Sequence, residues 1–377
     1  MVVERLSVRD FRSYERADVR LAPGLTVVWG RNGAGKTNLL EALYFGCTGR
    51  SCRTSNEREA VRFGAGLTRV EVRARGPEGA HVLAVGFEPG TGKRMQADGV
   101  MVERLLDVAA RPLVSVFLPD RLELVKGPPA VRRAHLDQVV AALWPARAGT
   151  RIAYARALAQ RNALVARIRV GRASAGSLPA WDGELARHGV ALMADRAAAV
   201  QALEDRFAAR AADLALEGGA TVRYRPRSKS SDATALAAEL AERVDGDLER
   251  GFTGHGPHRD ELVLEHEGRE LRAYGSQGQQ RLALLALLVA EREAVAAARD
   301  AVPLMLLDDV MSELDAERRA RLVDLLRSAG QSVITTTDLA HVPGAGDAGV
   351  RRLAVTRGEV HEEPAAGDAG GAEDRAA

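Results

Sequence analysis

The chain has 377 residues, 28% of them charged and 46% hydrophobic, with a formal net charge of +2. That balance describes a globular protein with room for more than one domain, and it excludes disordered, collagen-like and strongly basic chains. Cys47 and Cys52 are the only cysteines, too few for a disulfide framework or a zinc site, and they read as reduced thiols.

The N-terminus has no signal-peptide architecture, and the longest apolar run, residues 282–290, is too short to span a bilayer. A cytoplasmic protein without membrane contact is expected. From residue 2 the chain alternates apolar and polar positions in two bursts, first at Leu6, Val8 and Phe11 and then at Val19, Leu21 and Leu25. These read as strand, turn and strand. Residues 25–29 are a short run rich in β-formers and predict a strand, and residues 38–45 predict a helix. Residues 70–74 and 81–87 are further strands, so the sheet is expected to be mixed. The character changes near residue 120. Residues 130–210 are helical in composition, with Pro145 as a first-turn proline, a loop over 171–179 and a second helical segment over 181–215. A strand over 220–224, a polar loop over 226–232 and a helix over 234–250 follow. Strand character returns at 261–265. A helix from Gln280 is apolar on all sides through Ala290, which predicts burial. Residues 302–307 and 331–337 read as buried strands. From residue 362 the chain is mostly Ala, Gly, Asp and Glu, and a disordered tail is expected.

Three constellations carry chemistry. Between the strand over 25–29 and its helix stands Gly30-Arg31-Asn32-Gly33-Ala34-Gly35-Lys36-Thr37, which fits G-x-x-x-x-G-K-[ST] in the context that motif requires. Glycines let backbone N–H groups turn inward around a β-phosphate, and the helix N-terminus adds its partial positive charge. Lys36 is expected to reach the β/γ-phosphates of a nucleotide and Thr37 to ligate Mg²⁺. The strand over 302–307 ends in Asp308 and Asp309. Paired acids at a strand end often do no more than start a loop. Behind a phosphate loop, Asp308 is expected to hold Mg²⁺ and Asp309 to act as the general base on the attacking water. Ser276-Gln277-Gly278-Gln279 opens the apolar helix with a hydroxyl and glycine N–H groups, a second phosphate-binding device that also reads as an ordinary capping box.

Taken together, residues 30–37, Ser276-x-Gly278-Gln279, Asp308-Asp309 and Ser312-Glu313-Leu314-Asp315 resemble an ABC-type ATPase head. That class includes transporter motors, the structural-maintenance and Rad50-type chromosome proteins, and RecF. A Rad50-type protein would need a long heptad insertion with a Cys-x-x-Cys hook, and the chain has neither. Residues 8–14, 49–54, 119–137, 160–162, 256–260 and 276–280 resemble blocks of the RecF family along nearly the whole chain. Pro128 and His135 depart from its usual small and aromatic residues, and Thr337 stands where transporter motors carry a switch histidine.

The resemblance implies an α/β fold, an SMC/Rad50-like P-loop head with a mixed sheet and an inserted α-helical arm. Residues 1–125 and 251–361 would form the head, residues 126–250 the arm, and residues 362–377 the tail. It implies that Ser276, Gly278 and Gln279 of one subunit cap the ATP held by residues 30–37 of another in an ATP-dependent homodimer, with Thr337 as a candidate γ-phosphate contact. It further implies DNA binding, slow DNA-stimulated hydrolysis, cooperation with RecO and RecR in loading RecA, and support of SOS induction. A static DNA-binding scaffold with a vestigial nucleotide site is the alternative.

The arm carries the expected DNA contacts. No acidic residue lies between Asp137 and Asp182, and the interval holds Arg147, Arg151, Arg156, Arg161, Arg167, Arg169 and Arg172. Such an excess is the electrostatic footprint of phosphate-backbone binding, and no feature suggests base-edge readout. Arg147, Arg151, Arg161 and Arg169 recur near one helical meridian and are the candidates. Tyr154, Leu158 and Val165 fall near the same line, so a solvated arginine-rich helix pair is an equal reading.

Overall fold

In the computed structural model, residues 1–363 are described. Alternating burial makes β1 (Val2–Phe11) and β2 (Tyr14–Arg20) an antiparallel pair, with Leu6 opposite Val19 and Phe11 opposite Tyr14. The apolar β3 (Leu25–Trp29) runs into the glycine loop and α1 (Lys36–Thr48). α1 ends on Gly49 at φ 70°, the left-handed stop that glycine allows. β4 (Thr68–Gly76), β5 (Gly79–Glu88), β6 (Gly92–Ala97) and β7 (Val100–Val102) extend the first sheet. Its order is β2-β1-β4-β5-β6-β7, antiparallel throughout. α1 packs on this sheet at Gly46, where a Cβ would stand 2.5 Å from Val72. Cys47 and Cys52 are free, and burial pushes both thiols up to about 12, so neither is a nucleophile at neutral pH. β8 (Val114–Phe117) ends this stretch.

Residues 122–298 form a second unit. In chain order it holds α2 (Glu123–Lys126), α3 (Pro129–Leu143), α4 (Ala148–Arg169), α5 (Leu178–Asp213), β9 (Ala220–Arg225), α6 (Ala233–Ala241), α7 (Val244–Arg250), β10 (Glu261–His266), β11 (Arg269–Glu270), α8 (Leu271–Tyr274) and the body of α9 (Gln277–Arg299). α4, α5 and α6 share a core of Tyr154, Ala157, Leu185, Leu192, Leu236 and Leu240. The boundary expected at residue 250 is corrected: residues 251–298 belong to this unit, with the arm, and not with the glycine loop. The cause is non-local pairing. β10 pairs with β9 from Glu261 opposite Arg225 to His266 opposite Ala220. Buried Asp260 accepts from Arg196 Nη1 (3.1 Å), the Tyr224 hydroxyl and the Arg227 N–H (2.7 Å). The unit is therefore helical around a three-stranded sheet, β11-β10-β9.

From Arg299 on, the chain returns to the first unit with β12 (Leu304–Leu307), α10 (Ala316–Ser328), β13 (Ser332–Thr336), β14 (Arg351–Thr356) and β15 (Glu359–Glu363). They build a second sheet, β15-β14-β3-β13-β12-β8, parallel except for the β14–β15 hairpin. Buried Gln331 ties it to β1, accepting from the Val3 N–H (2.8 Å) and donating to the Val3 carbonyl (2.7 Å). Of the expected tail, residues 362 and 363 complete β15, and residues 364–377 lie outside the described residues. Among the described residues no helix is long and apolar enough to cross a membrane.

Candidate nucleotide site

Because β3, β13 and β12 are parallel neighbours, their carboxyl ends open on one edge of the sheet. That edge is where open α/β sheets bind ligands. Residues 30–37 leave β3 there, Asp308 and Asp309 leave β12, and Thr337 follows β13 half-buried.

The loop geometry depends on its glycines. Gly30, Gly33 and Gly35 have φ of 154°, 78° and 117°. A Cβ on Gly30 would stand 2.3 Å from the Val355 carbonyl oxygen, and one on Gly35 would stand 2.9 Å from Ser13 Oγ. Gly30→Ala should therefore displace the loop from β14 and weaken nucleotide binding about five- to a hundredfold in a titration with a fluorescent ATP analogue, since such strain costs about 1–3 kcal/mol. The Tyr14 hydroxyl, whose pKa burial raises, donates to the Gly35 carbonyl (2.9 Å) and fixes the loop from below.

Lys36 donates through Nζ to the carbonyls of Gly30 (2.7 Å) and Arg31 (3.0 Å), so the ammonium is held over its own loop. Burial lowers its pKa, against the opposing charges of Asp309 and Asp308. The Thr37 hydroxyl reaches both carboxylate oxygens of Asp308 (2.9 and 3.0 Å). Thr335 donates to Asp308 Oδ1 (2.7 Å) and accepts the Asp309 N–H (2.9 Å). Asp309 takes the left-handed conformation, φ 47°, and its buried Oδ1 has no hydrogen-bond partner among the described residues. Burial raises the Asp309 pKa, Lys36 opposes that shift, and Asp308 adds to it. A buried carboxylate oxygen without a donor, next to a carboxylate held by two hydroxyls, fits a site that takes water and a hard cation.

Sequence reasoning missed Thr335. The deciding signal is register: Leu307 stands opposite Ile334, which puts Thr335 level with Asp308. Tyr14 and Ser13 were missed as well, because they reach the loop from the other sheet, Tyr14 from the start of β2 and Ser13 from the turn before it.

The signature residues stand on the second unit, at the start of α9. The Ser276 N–H donates to Gln279 Oε1 (2.8 Å) and the Gln279 N–H to Ser276 Oγ (3.2 Å), so the capping box forms. Ser276 and Gly278 are exposed.

Of the candidate DNA contacts, Arg161 is corrected. It is fully buried, donating to Asp182 (2.6 Å), Asp247 (2.7 Å) and the Thr253 hydroxyl (2.7 Å). The helical repeat that joins it to Tyr154, Ala157 and Val165 is the core face of α4, so its charge is spent inside the unit. Arg161→Ala should leave buried Asp182 uncompensated and Asp247 with Arg250 alone, and destabilise the unit by about 3–5 kcal/mol, read as a lower urea midpoint. Arg147 lies over Trp144 (4.3 Å) and pairs with Asp195 (3.3 Å), while Arg151 and Arg169 are exposed.

The sequence profile of the AAA domain matches residues 5–113. The DNA replication and repair protein RecF of Anaeromyxobacter sp. (strain Fw109-5) is 40% identical over 345 residues, covering 88% of this chain and 91% of that one. RecF of Myxococcus xanthus (strain DK1622) is 40% identical, covering 94% of this chain and 96% of that one. The chain belongs to the RecF family. A solved structure of the recombination mediator protein RecF with ATP, in the RecFOR pathway, superposes with a TM-score of 0.84 at 26% identity, over 96% of this chain and 98% of that one. The fold is also that of the ABC-type SMC heads: an SMC head bound to the C-terminal winged-helix domain of ScpA has a TM-score of 0.60 at 17% identity, covering 96% of this chain and 97% of that one. The RecF-family fold is thus an α/β ATPase head, as the motifs imply.

Proposed function

We propose that this chain is an ATP-dependent DNA-binding switch of recombinational gap repair and replication-fork maintenance. The observation that carries the reading is the hydroxyl-carboxylate contact between Thr37 and Asp308, flanked by Lys36 and by the unpartnered oxygen of Asp309. RecF membership and the ATP in a related RecF structure support it.

The loop amides of residues 30–37 hold the phosphates of ATP, and Lys36 exchanges its carbonyl partners for phosphate oxygens. Mg²⁺, when bound at Thr37 and Asp308, neutralises charge on the phosphate oxygens. Asp309 accepts a proton from the attacking water, a task its raised pKa suits. Thr337 serves as a contact to the γ-phosphate. Ser276, Gly278 and Gln279 of a second copy cap the same nucleotide, so ATP closes a homodimer around DNA, largely regardless of sequence. Slow hydrolysis reopens it, and the free energy of the nucleotide is used for switching. With RecO and RecR the closed state helps load RecA and supports SOS induction, and this work takes place in the cytoplasm.

A turnover assay with and without DNA tests the enzyme part of this reading. Slow phosphate release that rises with DNA is expected. No release in either condition would leave a static scaffold with a vestigial site.

A further inference from the structure

Several surface arginines of the first unit are paired with acids: Arg5 with Asp18, Arg75 with Glu4, Arg321 with Glu317, Arg327 with Asp347. α4 and its surroundings differ. Arg169, the last residue of α4, is exposed and has no carboxylate within ion-pair distance among the described residues. Its side chain lies against Gly251, where a Cβ would stand 2.9 Å from Nη1. The next residue, Phe252, is 40% exposed although large and apolar. Arg259, also exposed and without an acidic partner among the described residues, holds its guanidinium 5.5 Å from the centre of the Phe252 ring.

The ring stands on a rigid base. On its C-terminal side, the Thr253 N–H donates to Asn162 Oδ1 (2.8 Å) and the Gly254 N–H to Asp247 Oδ1 (2.9 Å). Arg161 grips the Thr253 hydroxyl and Asp247 together. On the other side, the Gly251 N–H closes α7 on the Asp247 carbonyl (2.8 Å). The buried network thus fixes the backbone around a side chain that it leaves in solvent. A core that needed Phe252 would have buried it.

We propose that Phe252, with Arg259 over its ring and Arg169 beside it, is a stacking subsite for an unpaired base of single-stranded DNA. A fixed aromatic face flanked by unpaired cations is the device by which proteins hold single strands without reading sequence. The cations meet the phosphates on either side of the stacked base. A duplex offers its phosphates to the same arginines but no free base face to the ring. The subsite rests on the DNA-binding reading above and specifies the kind of DNA that this surface takes.

The test is fluorescence anisotropy of a labelled oligo-dT and of a duplex of equal length, with ATP and at fixed salt. Phe252→Ala should weaken oligo-dT binding about tenfold or more, the effect of losing one stacked base, and change duplex binding less than about twofold. Phe252→Trp should restore oligo-dT binding. Arg169→Glu should weaken both DNAs and lower the salt slope by about one or more. Unchanged thermal melting and ATP binding in each variant show that the fold is intact. A bromodeoxyuridine oligonucleotide should crosslink at Phe252. Oligo-dT binding by Phe252→Ala within about twofold of the unsubstituted protein overturns the subsite. Equal losses for both DNAs also overturn it, because the residue then acts on the backbone alone. If the unsubstituted protein binds neither DNA in any nucleotide state, the DNA-binding reading itself fails.

Discussion

Lys36→Ala should lose ATP binding by at least about a hundredfold, and with it every ATP-dependent property of the protein. The size follows from the contacts. Lys36 donates at 2.7 and 3.0 Å to Gly30 and Arg31 and is partly desolvated, so its hydrogen bonds to phosphate would be charge-assisted in a low-dielectric setting. Hydrogen bonds to charged groups contribute about 1.5–3 kcal/mol each, and two such losses multiply to a hundredfold or more. The substitution also removes the Lys36 donor from the Gly30 carbonyl, while the Arg31 carbonyl keeps the Ala34 N–H (3.2 Å). Lys36→Arg separates these effects. It keeps the charge while changing its shape, and it should also bind poorly, because a planar fork replaces a compact ammonium. Titration with a fluorescent ATP analogue measures both variants. ATP affinity within a few-fold of the unsubstituted protein in Lys36→Ala would sink the assignment of this loop.

Asp309→Asn should do the opposite to the lifetime of the closed state. Turnover should fall about 10²–10⁴-fold, the range for removing a positioned general base. ATP binding should persist or tighten, because a negative charge next to Asp308 and the incoming phosphates is gone. The ATP-closed dimer should therefore accumulate on DNA, read as slow dissociation after challenge with unlabelled competitor. Acidity gives an independent check. The folded Asp309 carboxyl, raised by burial, keeps its proton to higher pH than an ordinary Asp. Base catalysis should be complete above that raised pKa and should fall away as pH drops through it, at a higher pH than for an ordinary Asp. The Asn variant should lack this acid limb. A variant that turns over at the unsubstituted rate would assign the base elsewhere.

The parts of the site that were legible in the sequence are those written locally. A phosphate loop is one turn between one strand and one helix, and an acidic pair at the end of an apolar strand needs no partner to be seen. β8 and β14 escaped because each takes its place beside a strand far away in the chain, β8 beside β12 and β14 beside β3, and β15 because it pairs with β14. Thr335 escaped for the same reason, since its role exists only once β13 is set in register beside β12. Arg161 shows the limit of counting charge. Its place near the line of Tyr154, Leu158 and Val165 weakened the reading of a clean arginine stripe, yet the carboxylates that neutralise it, Asp182 and Asp247, come from α5 and α7. The boundary at residue 250 failed because β10 completes a sheet begun by β9.

The central claim is that nucleotide state gates a dimer that holds DNA. Sedimentation velocity of the protein with a labelled DNA, run with ATP, with ADP and without nucleotide, tests it most directly. The account predicts a DNA-bound dimer with ATP, a free monomer with ADP or without nucleotide, and loss of the ATP effect in Lys36→Ala. The same species in all three nucleotide states would contradict it.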